Sequence, residues 1–169
     1  PTVRQLEKLA KKTYTPLGYF FLPRPPKDQL PIPDFRTLGD HEIQQPSPNL
    51  IETVQIMLRR QDWMCEYLIE QGEDPLPFIG SARIDENPEK VAPRILAALG
   101  LKNDWARQAK TWSEALKKLR FAIEDVRILT AFNGVVANNT RRKLEVKEFR
   151  GFVLVDRFAP LVFVNSADA

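Results

Sequence analysis

Apolar and polar residues alternate at helical spacing through most of the chain, and the period shortens in the last third. In residues 2–12, TVRQLEKLAKK, Val3, Leu6, Leu9 and Ala10 share one helical face. Thr2 and Gln5 stand at capping-box spacing ahead of them, so an amphipathic helix opens the chain. Thr15 before Pro16 predicts a further short helix over PLGYFF, with a polar cap and proline at the first helical position. Ser47 and Pro48 repeat that signal and start the longest predicted helix, which runs to about Gln71 with Gly72 as its stop. There Leu50, Ile51, Val54, Met57, Leu58, Cys65 and Leu68 keep register, while Arg59, Arg60, Asp62 and Glu66 mark the wetter side. Asn87 and Pro88 begin another helix with the stripe Val91, Ala92, Ile95, Leu96 and Leu99, interrupted by Pro93 and ending at Gly100. Thr111 and Glu114 form a second capping box, and Leu116, Leu119, Ile123 and Val126 face inward behind it.

From residue 126 the pattern is that of strands. VRILTAFNGVV is rich in β-branched and aromatic residues and breaks at the turn dipeptide Asn133-Gly134. The polar stretch NNTRRKLEVKE follows, and then FVLV (152–155) and LVFV (161–164) flank DRFAP as a closing pair of strands. The expected class is α+β, mainly helical for two thirds and then a small sheet.

Between Pro23 and Pro48 lie seven of the fourteen prolines. Each removes a backbone donor and biases its predecessor towards extended conformations, so this stretch is read as a linker. Its apolar Leu30, Ile32, Phe35 and Leu38 suggest that it is docked on a surface. Four regions result: the end of a helical module (1–22), a Pro-rich linker (23–48), a helical middle region (49–125) and a β-rich region (126–169).

Composition narrows the functional classes. At 169 residues, with 43% hydrophobic and 28% charged side chains, the chain suits a soluble globular protein, and no apolar run approaches the ~20 residues of a membrane helix. A single cysteine, Cys65, forms no intrachain disulfide and is expected as a small core residue. With no signal-peptide pattern at the start, a cytoplasmic location is expected. The net charge of +3 is a mild excess, and the cluster Arg141, Arg142, Lys143 is read as a solvated face. Trp63, Tyr67, Trp105, Trp112 and Phe121 are read first as core packing and second as the lining of a ligand or partner pocket.

Catalytic signatures are scarce. The only histidine, His41, stands in HEIQQ, where a zinc-protease helix needs H-E-x-x-H to put two imidazoles on one metal. Position 45 is Gln, and the string lies among prolines, so both ligand and context fail. Asn138-Asn139-Thr140 is a glycosylation sequon but is read as a polar turn. There is no G-x-S-x-G elbow and no phosphate-binding glycine loop. No catalytic, cofactor or metal residue is assigned.

Three stretches, TPLGYFFLPRPPKDQLPIPDFRT, LRRQDWMCEYL and NGVVANNTRRKLEVKEFRGFVLVDRFAPLVFVNSADA, together resemble the ImmA/IrrE metallo-endopeptidase family in its long form. The resemblance covers most of the chain in order and spacing, with residues 73–110 its weakest part. It implies a Cro/repressor-like, DNA-binding helix-turn-helix domain in front, a helical middle and a zincin-like protease domain behind. Residues 1–10, PTVRQLEKLA, resemble a late helix of the first, and residues 149–165 the first strands of the last. In such proteins the H-E-x-x-H helix follows the segment equivalent to VNSADA, so the chain is expected to be an internal fragment, inactive alone. Zinc, a protein substrate such as a repressor, DNA and a role in transcription or stress-response regulation are implied for the longer parent. Zincin sheets usually present an edge strand to substrate, and Leu161, Val162, Phe163, Val164 and Asn165 are the candidate cleft strand. The alternative is a non-catalytic transcription-associated adaptor or ligand-sensing module.

This reading carries an energetic expectation. If Phe152, Leu154, Leu161 and Phe163 lost their cover, at roughly 1.5–3 kcal/mol each the loss would be about 6–12 kcal/mol, comparable to the stability of a domain. A homo-oligomer or a retained partner segment is therefore expected.

Overall fold

The computed structural model describes residues 1–24, 35–36 and 46–168. The protein is α+β, with helices first and a small mixed sheet after them. The first helix, α1 (Val3–Thr13), has the expected reciprocal cap: Gln5 N–H donates to Thr2 Oγ1 at 3.3 Å, and Thr2 N–H donates to Gln5 Oε1 at 2.9 Å. Leu17–Phe21 is a 3-10 turn rather than an α-helix, and its cap position is Pro16. Thr15 does not cap it; its hydroxyl donates back to the Thr13 carbonyl.

Strand β1 (Phe35–Arg36) lies in the Pro-rich stretch and pairs antiparallel with the later strand β5 (Gly151–Leu154). The linker is thus docked at this point. His41, Leu30, Ile32 and Leu38 lie outside the described residues.

Helix α2 (Pro48–Glu70) starts at Ser47, whose Oγ accepts from Leu50 N–H, and is followed by Gly72 at φ 74°, a conformation that glycine adopts without strain. Ser47 also donates, through its N–H and its hydroxyl, to the Glu148 carboxylate at 2.7 and 2.8 Å, so the helix start is tied to a loop about a hundred residues away. Helices α3 (Pro88–Ala98) and α4 (Trp112–Asp125) begin at the expected caps Asn87 and Thr111. The second box is not reciprocal, because the Glu114 carboxylate accepts from Lys110 N–H instead of Thr111 N–H. Neither helix buries a residue fully, so the stripe that the sequence marks on α3 stays half exposed.

Strands β2 (Leu129–Asn133), β5 and β6 (Leu161–Asn165) complete the main sheet in the order β1-β5-β6-β2. The expected hairpin around DRFAP is present as the antiparallel pair β5–β6. Asn133-Gly134 ends β2 as expected but makes no hairpin, since β2 runs parallel to β6 and β3 (Val135–Val136) pairs with β4 (Asn139–Lys143). The two-residue turn lies instead at Ala137 and Asn138, both at positive φ, as a twist-matched hairpin requires. At Gly151 a Cβ would sit 2.6 Å from the Phe163 carbonyl, so only glycine fits between β5 and β6 there.

One core joins helix to sheet. Leu50, Val54 and Met57 of α2 pack with Val136, Leu144, Phe149, Phe152, Leu154, Leu161 and Phe163. Along β6, Leu161, Phe163 and Asn165 are buried, while Val162 and Val164 are half-buried on the opposite face. Phe152 and Phe163 stack at 4.8 Å, with Phe149 6.1 Å from each. Phe152, Leu154, Leu161 and Phe163 are all buried within this core, together with α2 and Phe149. The helical middle and the β-rich region, divided at 125/126 by their patterns, share this core.

Arg142 corrects a second expectation. It is not part of a solvated face: it is 7% exposed and is enclosed by α1's end and α2. Its Nε and Nη2 donate to Asn49 Oδ1 at 3.1 and 2.9 Å, its Nη1 meets Glu52 at 2.7 Å, and its guanidinium lies 3.9 Å from the Tyr14 ring centroid. Arg142→Ala is expected to lower stability by about 2 kcal/mol in urea unfolding. Arg142→Lys should recover little of it, because an ammonium cannot fork onto Asn49 and Glu52 together.

Candidate functional site

The residues expected to form a substrate strand lie on β6, and β6 is interior. It is paired with β5 on one side and with β2 on the other, so its backbone edges are both in use. This corrects the edge-strand expectation for Leu161, Val162, Phe163, Val164 and Asn165. The reason lies in long-range pairing: β2, about thirty residues earlier, inserts parallel to β6 and takes the edge position itself. Asn165 acts as a structural pin, with Nδ2 donating to the Phe149 carbonyl and Oδ1 accepting from Ala167 N–H, both at 3.1 Å.

Beside β6 the structure forms a concave surface. An apolar groove of about 570 Å³ runs between α2 and β2. Its floor is Met57, Leu129, Ala131 and Leu161, and its rim is Arg59, Arg60 and Trp63. Leu161 is the member of the candidate strand that reaches it. Trp63 is 63% exposed and stacks on Tyr67 at 5.8 Å. Trp112 and Phe121 are also exposed and Trp105 half-buried, so these aromatics do not build the core. Periodicity alone does not foresee this, because an apolar stripe reads the same whether or not an element covers it.

Gln61, on the same helix, is the polar residue that sequence reading passes over. It is buried, and its amide donates to the carbonyls of Leu154 and Ala159, each at 2.9 Å, clamping the end of β5 and the entry to β6. Asp156 shapes the connection between them, where its Oδ1 accepts from Phe158 and Ala159 N–H at 2.7 and 2.8 Å. Cys65, half-buried rather than in the core, lies against Asp156.

These two groups titrate in opposite senses. Burial raises the Cys65 thiol, and the neighbouring Asp156 charge raises it further. Burial pushes Asp156 up as well, but the backbone donors of Ala159 and Phe158, together with Cys65, outweigh it and hold the carboxyl below its usual range. A depressed folded pKa contributes stability above the unfolded carboxylate pKa, lost as pH falls through the folded value. Asp156→Asn keeps an acceptor oxygen but cannot titrate. Its stability is expected to fall less steeply with acid than that of the native chain, as read from urea midpoints across the acidic range. Equal slopes would sink the assignment.

Among the described residues no group of three or more His, Cys, Asp or Glu side chains is placed to hold a metal ion. Cys65 has neighbours that favour the thiol, whereas zinc binds thiolate. The described residues do not fit a zinc site. Among them, no helix is long and apolar enough to cross a membrane. Compared with family models, with curated proteins and with solved structures, the chain matches none.

Proposed function

We propose that this chain is the scaffold portion of a cytoplasmic regulatory metallo-endopeptidase resembling ImmA/IrrE, in which a DNA-binding front end is coupled to zinc-dependent cleavage of a protein such as a repressor. Among the described residues no cluster is placed to hold a metal, and the metal ligands are assigned to the longer parent. This chain's contribution is the sheet and long helix on which a catalytic helix and substrate are organised.

One observation carries the reading. Two of the three resembling stretches, LRRQDWMCEYL and the β5–β6 segment, are some ninety residues apart and meet at Gln61, with Cys65 against Asp156 beside it. Gln61 of the first holds the Leu154 and Ala159 carbonyls of the second. Segments that agree with one family in order and spacing, and that depend on each other physically, support a common origin better than either does alone.

The coding sequence beyond Ala169 provides the test. An H-E-x-x-H helix within the next few turns, with stoichiometric zinc bound by the extended protein, is the expected result. A continuation without such a helix, or stoichiometric zinc in residues 1–169 alone, overturns the proposal.

A further inference from the structure

The outer edge of β2 is one end of the main sheet. Leu129 N–H donates to the Pro160 carbonyl at 2.8 Å, which turns Leu129, Ala131 and Asn133 towards β6 and turns the backbone groups of Thr130 and Phe132 outward. Among the described residues no strand pairs with that outer side. A short row of peptide donors and acceptors is thus available for strand addition.

Each face of this edge carries a groove. On the α2 face lies the groove rimmed by Arg59, Arg60 and Trp63. On the α4 face lies a second one, lined by Trp112, Leu116, Lys117, Arg120 and Phe132. Trp112 is 74% exposed, and the Arg120 guanidinium sits 5.1 Å from the Phe132 ring centroid. The charged residues lining the two grooves are all basic. Glu124 approaches the second groove from within α4, but it is occupied by Arg120 and by the Thr130 hydroxyl.

We propose that the β2 edge is a docking site for an extended peptide segment of a partner protein, apolar with acidic side chains, which adds as a fifth strand. Successive side chains of an added strand point to opposite faces, so they enter the two grooves alternately. The tryptophans supply apolar platforms, and the basic rims select acidic over basic residues. The row of backbone donors and acceptors favours a peptide over a nucleic acid, whose phosphodiester backbone has no N–H to offer the outward carbonyls. This inference concerns the edge alone and stands independently of the metallo-endopeptidase reading.

The test uses the whole 169-residue chain and a synthetic peptide of roughly ten residues, Val and Ile with Glu on both faces of the extended strand. Saturable micromolar binding is expected, read by fluorescence anisotropy, with amide protons of Thr130 and Phe132 gaining exchange protection. Replacing Glu by Lys in the peptide should weaken binding by about tenfold or more. N-methylation at alternate peptide positions should do the same by removing the strand hydrogen bonds. Thr130→Pro, which deletes an outward donor, is paired with Arg59→Glu/Arg60→Glu on the exposed face of α2, so the test survives if the first variant fails to fold. Unchanged affinity in the charge-reversal variant overturns the proposal. So do equal binding of the Lys peptide, displacement of the Glu peptide by oligothymidine, and self-association of the chain through β2 in place of peptide binding.

Discussion

Phe163→Ala is expected to destabilise the protein by about 3–5 kcal/mol, a large share of the ~5–15 kcal/mol available to a domain. Phe163 is 1% exposed, stacks on Phe152 at 4.8 Å and lies 6.1 Å from Phe149. Its removal leaves a void at the junction of β5, β6 and α2. Those elements are fixed by hydrogen bonds that keep them from collapsing into the space: Gln61 to the β5 end, and Asn165 to Phe149. Phe163→Leu retains most of the volume and should lose less than half as much. Chemical unfolding monitored by far-UV circular dichroism measures both. A loss below about 1 kcal/mol for Phe163→Ala would mean that this cluster is not the centre of the core.

Gln61→Leu should rank second. The substitution keeps an apolar-compatible shape but removes both amide donors to the Leu154 and Ala159 carbonyls at a buried site. At about 1 kcal/mol for each lost bond, and more where a carbonyl keeps no other partner, the expected loss is about 2–4 kcal/mol. Gln61→Glu separates hydrogen bonding from packing. At neutral pH its carboxylate faces two carbonyl oxygens, whereas its protonated form donates to one of them. Its folded pKa is therefore raised, and the stability it regains at low pH is lost as pH rises through that value. Urea midpoints that do not rise on acidification would contradict the clamp.

Arg142 and Gln61 are the residues that hold the elements in their relative positions, and both sit at positions where a surface polar residue reads the same in sequence. Nothing local distinguishes Arg142 from Arg141 in the run TRRK. Burial of one follows from β4 pairing with β3, which turns alternate side chains to opposite faces and sends Arg142 towards α2 and Tyr14. Likewise the aromatics on α2 and α4 have core composition but exposed positions. A helix records which residues share a face, and it takes a neighbouring element to decide whether that face is covered.

The sequence by itself determined the starts of α1 to α4 and the stops of α2 and α3, because caps and stops act within a few residues: Thr2 with Gln5, Ser47 before Pro48, Asn87, Thr111, and the glycines Gly72 and Gly100. It determined the β5–β6 hairpin for the same reason, since a period of two and a short connection are local properties. Only the tertiary structure decided that β2 inserts parallel to β6, making β6 interior, and that Phe152, Leu154, Leu161 and Phe163 share one buried core with α2. Strand order and helix docking depend on contacts across thirty to a hundred residues. Such contacts are set by the free energy of the whole core, and no short window of sequence contains it.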